Sequence, residues 1–331
     1  MFGRSAGPQA RQQGLIWQAV TVLFRDMRDL IWPAKTLFPE PFVIEGSPET
    51  ATAPLVFSSA HSGRDYPAGF CSQTQLEGLA LRASEDAFVD LLFASAPGQG
   101  AILQTARFPR SYCDVNRERG EIDPGLFDGA LPPEIAAVLN TRSPRVEAGL
   151  GVIPKVVREG VDIYRAKLPV AEIVNRLAAL HEPWHESLAL LLAAMRARFG
   201  GVVLIDCHSM PSAPPGTNGP GAHADVVIGD RFGASAPRAI VLEIERAFAG
   251  QGFSIARNTP YAGGHTVERH AKRGGGIFAV QVEMRRSIYM DEAKVAPHAG
   301  FAAVESRIAR VISTLAAMRW PFAAPSREAA E

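Results

Sequence analysis

Two histidines occupy matching settings in the chain. Ser59-Ala60-His61-Ser62-Gly63 and Asp206-Cys207-His208-Ser209-Met210 each place an imidazole just past a short apolar run. Neutral imidazole is the commonest zinc ligand, and a catalytic zinc takes three protein ligands while keeping a position open for water. One such histidine would be an ordinary loop residue; two in the same setting suggest a metal pair in need of a third donor. Ser84-Glu85-Asp86 offers two carboxylates. Asp86 is the expected ligand, although spacing alone leaves Glu85 open and a helix start attracts acidic side chains in any case. Asp206 either orients His208 from behind or simply ends its strand.

Glu283 lies in Val280-Gln281-Val282-Glu283-Met284-Arg285-Arg286. A carboxylate in so apolar a run is costly unless it is paired or sits at the strand's mouth. A general base beside a metal-activated water fits that position, and an ion pair with Arg285 or Arg286 is the competing account. The stretch from Arg107 to Arg117 (Arg-Phe-Pro-Arg-Ser-Tyr-Cys-Asp-Val-Asn-Arg) is dense in fixed charge. Guanidinium forks suit bidentate carboxylate binding, and Asn116 beside Arg117 adds neutral hydrogen bonds, although a solvated, salt-bridged turn explains the charges equally well. Asp114 is placed to hold one of the arginines.

The turn-rich segment Asn258 to Thr266 contains Gly263-Gly264, a pair able to bring backbone close to a ligand. His265, Arg269 and His270 follow as candidate substrate contacts. His181-x-x-x-His185 has i, i+4 spacing but lacks the glutamate of a His-Glu-x-x-His zinc helix, so these two are expected to be surface or core residues.

The elements that must position these groups are legible as alternating strands and helices. Strand-like runs occupy 54–59, 101–105, 202–206, 225–229 and 277–283, each short, β-branched and bounded by turn formers. Helix-like stretches occupy 85–96, 171–199 (stopped by Gly200-Gly201), 237–249 and 297–318. The alternation indicates a three-layer α/β/α fold around a mixed, mostly parallel sheet, where catalytic residues gather at the carboxyl ends of strands. His61, His208 and Glu283 all fall there. The expected organisation is an N-terminal extension over 1–45, helical or disordered, one α/β domain over 46–320, and a disordered tail over 321–331.

The 331 residues are 47% hydrophobic and 21% charged, with 34 basic and 34 acidic side chains. Zero net charge removes the electrostatic case for nucleic acid or an anionic membrane as the main partner. Three cysteines, Cys71, Cys113 and Cys207, make no paired framework, which suits a reducing cytoplasm. The apolar run from Leu15 to Phe24 is too short to span a bilayer, so no transmembrane segment is expected.

Together the motifs resemble the N-formylglutamate amidohydrolase family, itself similar to the zinc carboxypeptidase and aspartoacylase fold group. The resemblance spans about 55–292. It rests on Ser58-Ser59-Ala60-His61-Ser62-Gly63, Asp114-Val115-Asn116-Arg117, Gly151-Val152-Ile153-Pro154-Lys155, Asp206-Cys207-His208-Ser209-Met210-Pro211, Tyr261-Ala262-Gly263-Gly264 and Gln281-Val282-Glu283-Met284 with Tyr289-Met290-Asp291-Glu292. It implies a metal-activated water attacking an amide carbonyl, with His61, Asp86 and His208 as ligands and Glu283 carrying the proton. It also implies that Arg110 polarises the carbonyl, that Asn116 and Arg117 bind a substrate carboxylate, and that Arg269 serves a second one. The implied cofactor is a divalent metal, zinc first, with manganese, cobalt or iron compatible. The implied partner is a small N-acyl amino acid, N-formyl-L-glutamate foremost. One departure stands out: the zinc carboxypeptidases use His-x-x-Glu, whereas Arg64 lies three residues after His61, so the acidic ligand must come from elsewhere.

Two other readings use the same residues. One is a peptidase or amidase acting on another N-acyl or cell-wall substrate. The other is a carboxylate-binding relative without catalysis, disfavoured by the joint presence of His61, His208 and Glu283.

Overall fold

The computed structural model describes residues 37–212 and 223–322. The expectations for residues 1–36, for the Gly/Pro-rich segment 213–222 and for the tail beyond 322 lie outside the described residues. Seven strands form one sheet: β1 (Phe42–Glu45), β2 (Leu55–Ser59), β3 (Ile102–Ala106), β4 (Val202–Met210), β5 (Val226–Gly229), β6 (Ile255–Arg257) and β7 (Ile277–Arg285). Their spatial order is β1-β3-β2-β4-β7-β5-β6. Only β1 against β3 and β5 against β7 run antiparallel. The sheet is therefore mixed and mostly parallel. Strand β1 falls within the stretch read as an extension; Phe42, Val43 and Ile44 make it an edge strand on β3.

Alternation along β4 and β7 explains both the core and the site, because successive side chains in a strand point to opposite faces. Val203, Ile205 and Cys207, with Val280, Val282 and Met284, pack against two helices, α2 (Arg238–Gly250) and α3 (Phe301–Ala316). On the other face, Val202, Leu204, Ile277 and Ala279 pack against Leu188, Leu191, Leu192 and Met195 of α1 (Glu182–Phe199). Helices thus cover both faces. Continuing along that second face, the same alternation delivers Asp206 and His208 on β4, and Gln281 and Glu283 on β7. The apolar cover gives way to polar groups at the carboxyl ends of these strands.

Helix α1 stops at Gly200, which takes a left-handed conformation (φ 79°) as expected for a C-terminal glycine. The stretch 85–96 differs from its helical expectation. Only Val89–Leu92 forms a helical turn, and Phe88 before it has φ 66°. The His61 loop captures the preceding backbone: Asp86 N–H donates to the His61 carbonyl at 3.0 Å, and Asp90 N–H to Ser62 Oγ at 3.1 Å. Among the described residues no helix is long and apolar enough to cross a membrane.

Candidate active site

Close approach of two loops sets the position of His61. Gly63, just after it, packs so tightly on the loop following β3 that a Cβ there would lie 2.0 Å from the Phe108 carbonyl oxygen. His208 needs no loop, since it projects from β4 directly. The parallel register pairs His208 with Glu283 and Asp206 with Gln281, so all four share one face of two adjacent strands.

His61, Asp86 and His208 converge as a buried group that could hold a metal ion. Asp86 Oδ2 lies 2.9 Å from His208 Nδ1 and 3.3 Å from His61 Nδ1. Behind each ring stands its own carboxylate: His61 Nε2 meets Asp114 Oδ1 at 2.8 Å, and His208 Nε2 meets Asp206 Oδ2 at 2.8 Å. These outer carboxylates place the proton on Nε2 and leave both Nδ1 lone pairs aimed at one carboxylate oxygen. Three lone pairs facing one another call for a positive charge between them. Added protons can supply it, and so can a divalent cation held by two imidazoles and a carboxylate. The residues present therefore fit a metal of that kind. Glu85, the alternative acid, points elsewhere, accepting from Tyr66 Oη at 2.6 Å and from Arg82 Nε and Nη2 at 2.9 Å each.

The electrostatics match this geometry. Burial works against ionising Asp86, yet His208 and His61 hold its carboxyl well below the usual range. Asp114 is likewise held low against burial by Arg110 and Arg117. His208 rises well above an ordinary imidazole, with burial opposing and Asp206 leading the increase. Glu283 goes the other way. Burial, reinforced by the Asp86 charge and only partly offset by His208, pushes it up to about 7. That is the range of a carboxylate able both to take and to return a proton near neutrality.

Neighbouring groups hold these side chains in place. Arg286 donates to Asp86 Oδ1 at 3.2 Å and to Ser209 Oγ at 3.1 Å, while Ser209 Oγ also reaches Asp86 Oδ1 at 3.2 Å. Gln281 Nε2 donates to Glu283 Oε1 at 2.7 Å, and its carbonyl accepts Gly264 N–H at 2.7 Å. The sequence gives Gln281 no role and offers Arg286 only as an ion-pair partner of Glu283, whereas in the structure Arg286 pairs with Asp86. The available signal was the period-two continuation of Asp206/His208 and Gln281/Glu283 beyond an apolar strand.

Arg110 donates through Nε to Asp114 Oδ2 at 2.9 Å, and its two amino groups have no hydrogen-bond partner among the described residues. Arg117 is more fully engaged. Its Nε donates to the Leu150 carbonyl and its Nη1 to the Asn116 carbonyl, both at 2.8 Å, and Nη2 lies 3.5 Å from Asp114. Burial, with Arg110 and Arg145 nearby, lowers it to about 10. Asn116 accepts Thr266 N–H at 2.8 Å, and a Cβ on Gly264 would collide with its side chain at 2.5 Å. Arg110, Asn116, Arg117, Gly263 and Gly264 all line one cavity of about 990 Å³, together with the histidines, Asp86 and Glu283.

Arg269 lies outside that lining, with the carboxylates of Glu182 and Glu186 acting on it. His265 and His270 are also outside and join His181 and His185 beneath the site. His181 Nε2 donates to the Arg117 carbonyl and His185 Nε2 to the Val115 carbonyl, both at 2.8 Å, bracing the backbone on either side of Asn116. Ring nitrogens of His181, His185 and His265 come close enough that they could hold a metal. Both ring nitrogens of His185 are already engaged, however, Nε2 by the Val115 carbonyl and Nδ1 by His270 Nε2 at 2.9 Å. Burial lowers His181 to about 4 and His270 to about 3, keeping them neutral as core hydrogen-bonding groups.

A charged basin at the carboxyl ends of a mostly parallel sheet, with a base beside convergent ligand atoms, has the form of a hydrolase site. Comparison with known proteins identifies which kind. The model of the N-formylglutamate amidohydrolase family matches residues 53–290. The chain is 29% identical to N-formylglutamate deformylase of Pseudomonas aeruginosa over 242 residues, covering 72% of this chain and 83% of that protein. It is 27% identical to N-formylglutamate deformylase of Pseudomonas putida over 246 residues, covering 72% and 82%. The crystal structure of N-formylglutamate amidohydrolase from Ralstonia eutropha superposes with a TM-score of 0.76 at 32% identity, covering 83% of this chain and 97% of that one. A gene product of Agrobacterium tumefaciens shares the fold at 18% identity and a TM-score of 0.57. The chain belongs to the N-formylglutamate amidohydrolase family and is a hydrolase acting on a linear amide.

Proposed function

We propose that this protein is a metal-dependent deformylase that converts N-formyl-L-glutamate and water to L-glutamate and formate. The observation that carries the reading is the pair of imidazoles, each backed by its own carboxylate and sharing Asp86, with Glu283 opposite His208 on the neighbouring strand. The deformylase relatives support the substrate assignment.

His61, Asp86 and His208 would hold the cation, zinc being the first choice for two imidazoles and a carboxylate. Bound there, it would supply Lewis acidity to the carbonyl oxygen and acidify water. Glu283, ionised at the start, takes a proton from the attacking water as its oxygen adds to the formyl carbon. Arg110 directs its amino groups at the charge that develops on the carbonyl oxygen. Glu283 then passes the proton to the amide nitrogen as the C–N bond breaks, and transfer of the remaining water proton to the released amine leaves formate and the ammonium form of the amino acid. Asn116 and the remaining N–H groups of Arg117 receive the α-carboxylate, while Gly264, having no side chain, lets the Asn116 amide lie against its backbone.

The test is amine release from a panel of N-formyl, N-acetyl and N-carbamoyl amino acids. N-formyl-L-glutamate should have the highest kcat/KM. Preference for an amide without a free carboxylate would sink the assignment.

A further inference from the structure

The motif Gly151-Val152-Ile153-Pro154-Lys155 has no role in the chemistry above, yet it is anchored to the site. Val152 accepts Asp114 N–H at 2.8 Å and donates to the Glu121 carbonyl at 2.8 Å, and a Cβ on Gly151 would lie 2.4 Å from that same carbonyl. It links two arginines on the cavity wall: Arg145, on the short helix Pro144–Glu147, and Arg158, at the end of the hairpin strand Val156–Arg158. The backbone that holds Asp114 behind His61 is thus continuous with the mounts of these two cations.

Of the cavity's other guanidiniums, Arg110 keeps its amino groups for the reacting carbonyl and three are largely spent. Arg82 is bidentate on Glu85, Arg286 is held by Asp86 and Ser209, and Arg117 spends three donors inside the protein. Arg145 is different. Its side chain is 41% exposed, and its nearest carboxylate oxygen, on Glu121, is 3.8 Å away. That carboxylate is already committed to Ser143 Oγ and to Glu118 N–H. Arg158 is exposed, and its guanidinium has no hydrogen-bond or ion-pair partner among the described residues. Two under-used forks facing one cavity, with Arg117 adding a third positive charge, form a receptor for an anion.

We propose that Arg145 and Arg158 form the subsite for the second, side-chain carboxylate of the substrate, and so set the preference for an acidic N-acyl amino acid. This rests on the deformylase reading above. Arg110 and Arg117 then serve the reacting end, and the rigid 149–155 segment sets the spacing between the scissile amide and the distal carboxylate.

The test compares wild-type protein with the double variant Arg145→Gln/Arg158→Gln in two measurements. In the first, kcat/KM is determined for N-formyl-L-glutamate and for N-formyl-L-glutamine, which has the same shape without the charge. The double variant should lose about ten- to a hundred-fold of the preference for the acid, mainly in KM, as expected for loss of charge-assisted hydrogen bonds. Arg→Lys variants should retain part of it. In the second, calorimetry follows glutarate, which has both carboxylates and no amide, against butyrate. Glutarate should bind wild type and weaken by a similar factor in the double variant, with butyrate little changed. Wild-type glutarate affinity in the double variant, or transfer of the whole effect to Arg269→Gln, would overturn the subsite. Absence of hydrolysis with every N-formyl substrate would instead overturn the deformylase reading, while glutarate binding would still decide the subsite.

Discussion

Glu283 combines three properties seldom found in one carboxylate: burial, a single side-chain donor in Gln281, and a neighbouring Asp86 charge that resists its ionisation. Glu283→Gln keeps the shape and removes the proton acceptor. It should lower kcat by about 10²- to 10⁴-fold while leaving metal content unchanged; loss of metal would make Glu283 a ligand instead. The pH dependence has a fixed sign. The base works ionised, so kcat/KM should fall on the acid side as Glu283 takes up a proton. The midpoint should lie at or below about 7, because a bound cation nearby favours the ionised form. Persistence of the same acid limb in the residual activity of Glu283→Gln would remove Glu283 from the proton path.

The long parallel pairing of β4 with β7 is the element on which the site depends. Its register sets His208 opposite Glu283, and α1 seals the apolar half of the same face. Leu188 of α1 is fully buried there. Leu188→Ala should cost about 2–5 kcal/mol in a denaturant titration, and a loss below 1 kcal/mol would mean that α1 is not the cover described. Most of this arrangement was legible in the sequence. β-branched runs marked the five inner strands, and polar residues directly after or within them marked His61, His208 and Glu283. The rest was not, for physical reasons. Asp86 is the ligand expected from the sequence, but spacing does not separate it from Glu85: the choice is made where the His61 loop captures the Asp86 backbone and leaves only one helical turn downstream, a tertiary effect. Arg269 follows the turn-rich segment and is a candidate ligand contact by sequence, but its helix, His265–His270, leaves it outside the cavity lining, where the Glu182 and Glu186 charges act on it. Arg145 and Arg158 stand out only once the partners of the other arginines are known.

Across the whole molecule, the site ties together distant parts of the chain: the β2 loop, the loop after β3, β4 and β7. Four carboxylates, Asp86, Asp114, Asp206 and Glu283, face three guanidiniums, Arg110, Arg117 and Arg286, so a bound cation should steady the fold as well as the chemistry. At a metal concentration about 100-fold above Kd, that linkage is worth about 2.7 kcal/mol, or roughly 5 °C in Tm for a chain of this size. Chelation should lower Tm by about that amount and added metal should restore it; an unchanged Tm would separate the frame from metal binding. The most direct test of the central claim is formate release from N-formyl-L-glutamate by chelator-stripped protein titrated with zinc, manganese or cobalt. The account predicts negligible turnover without metal and a rise that saturates at one equivalent per chain. Full turnover by protein shown to be free of metal would contradict it.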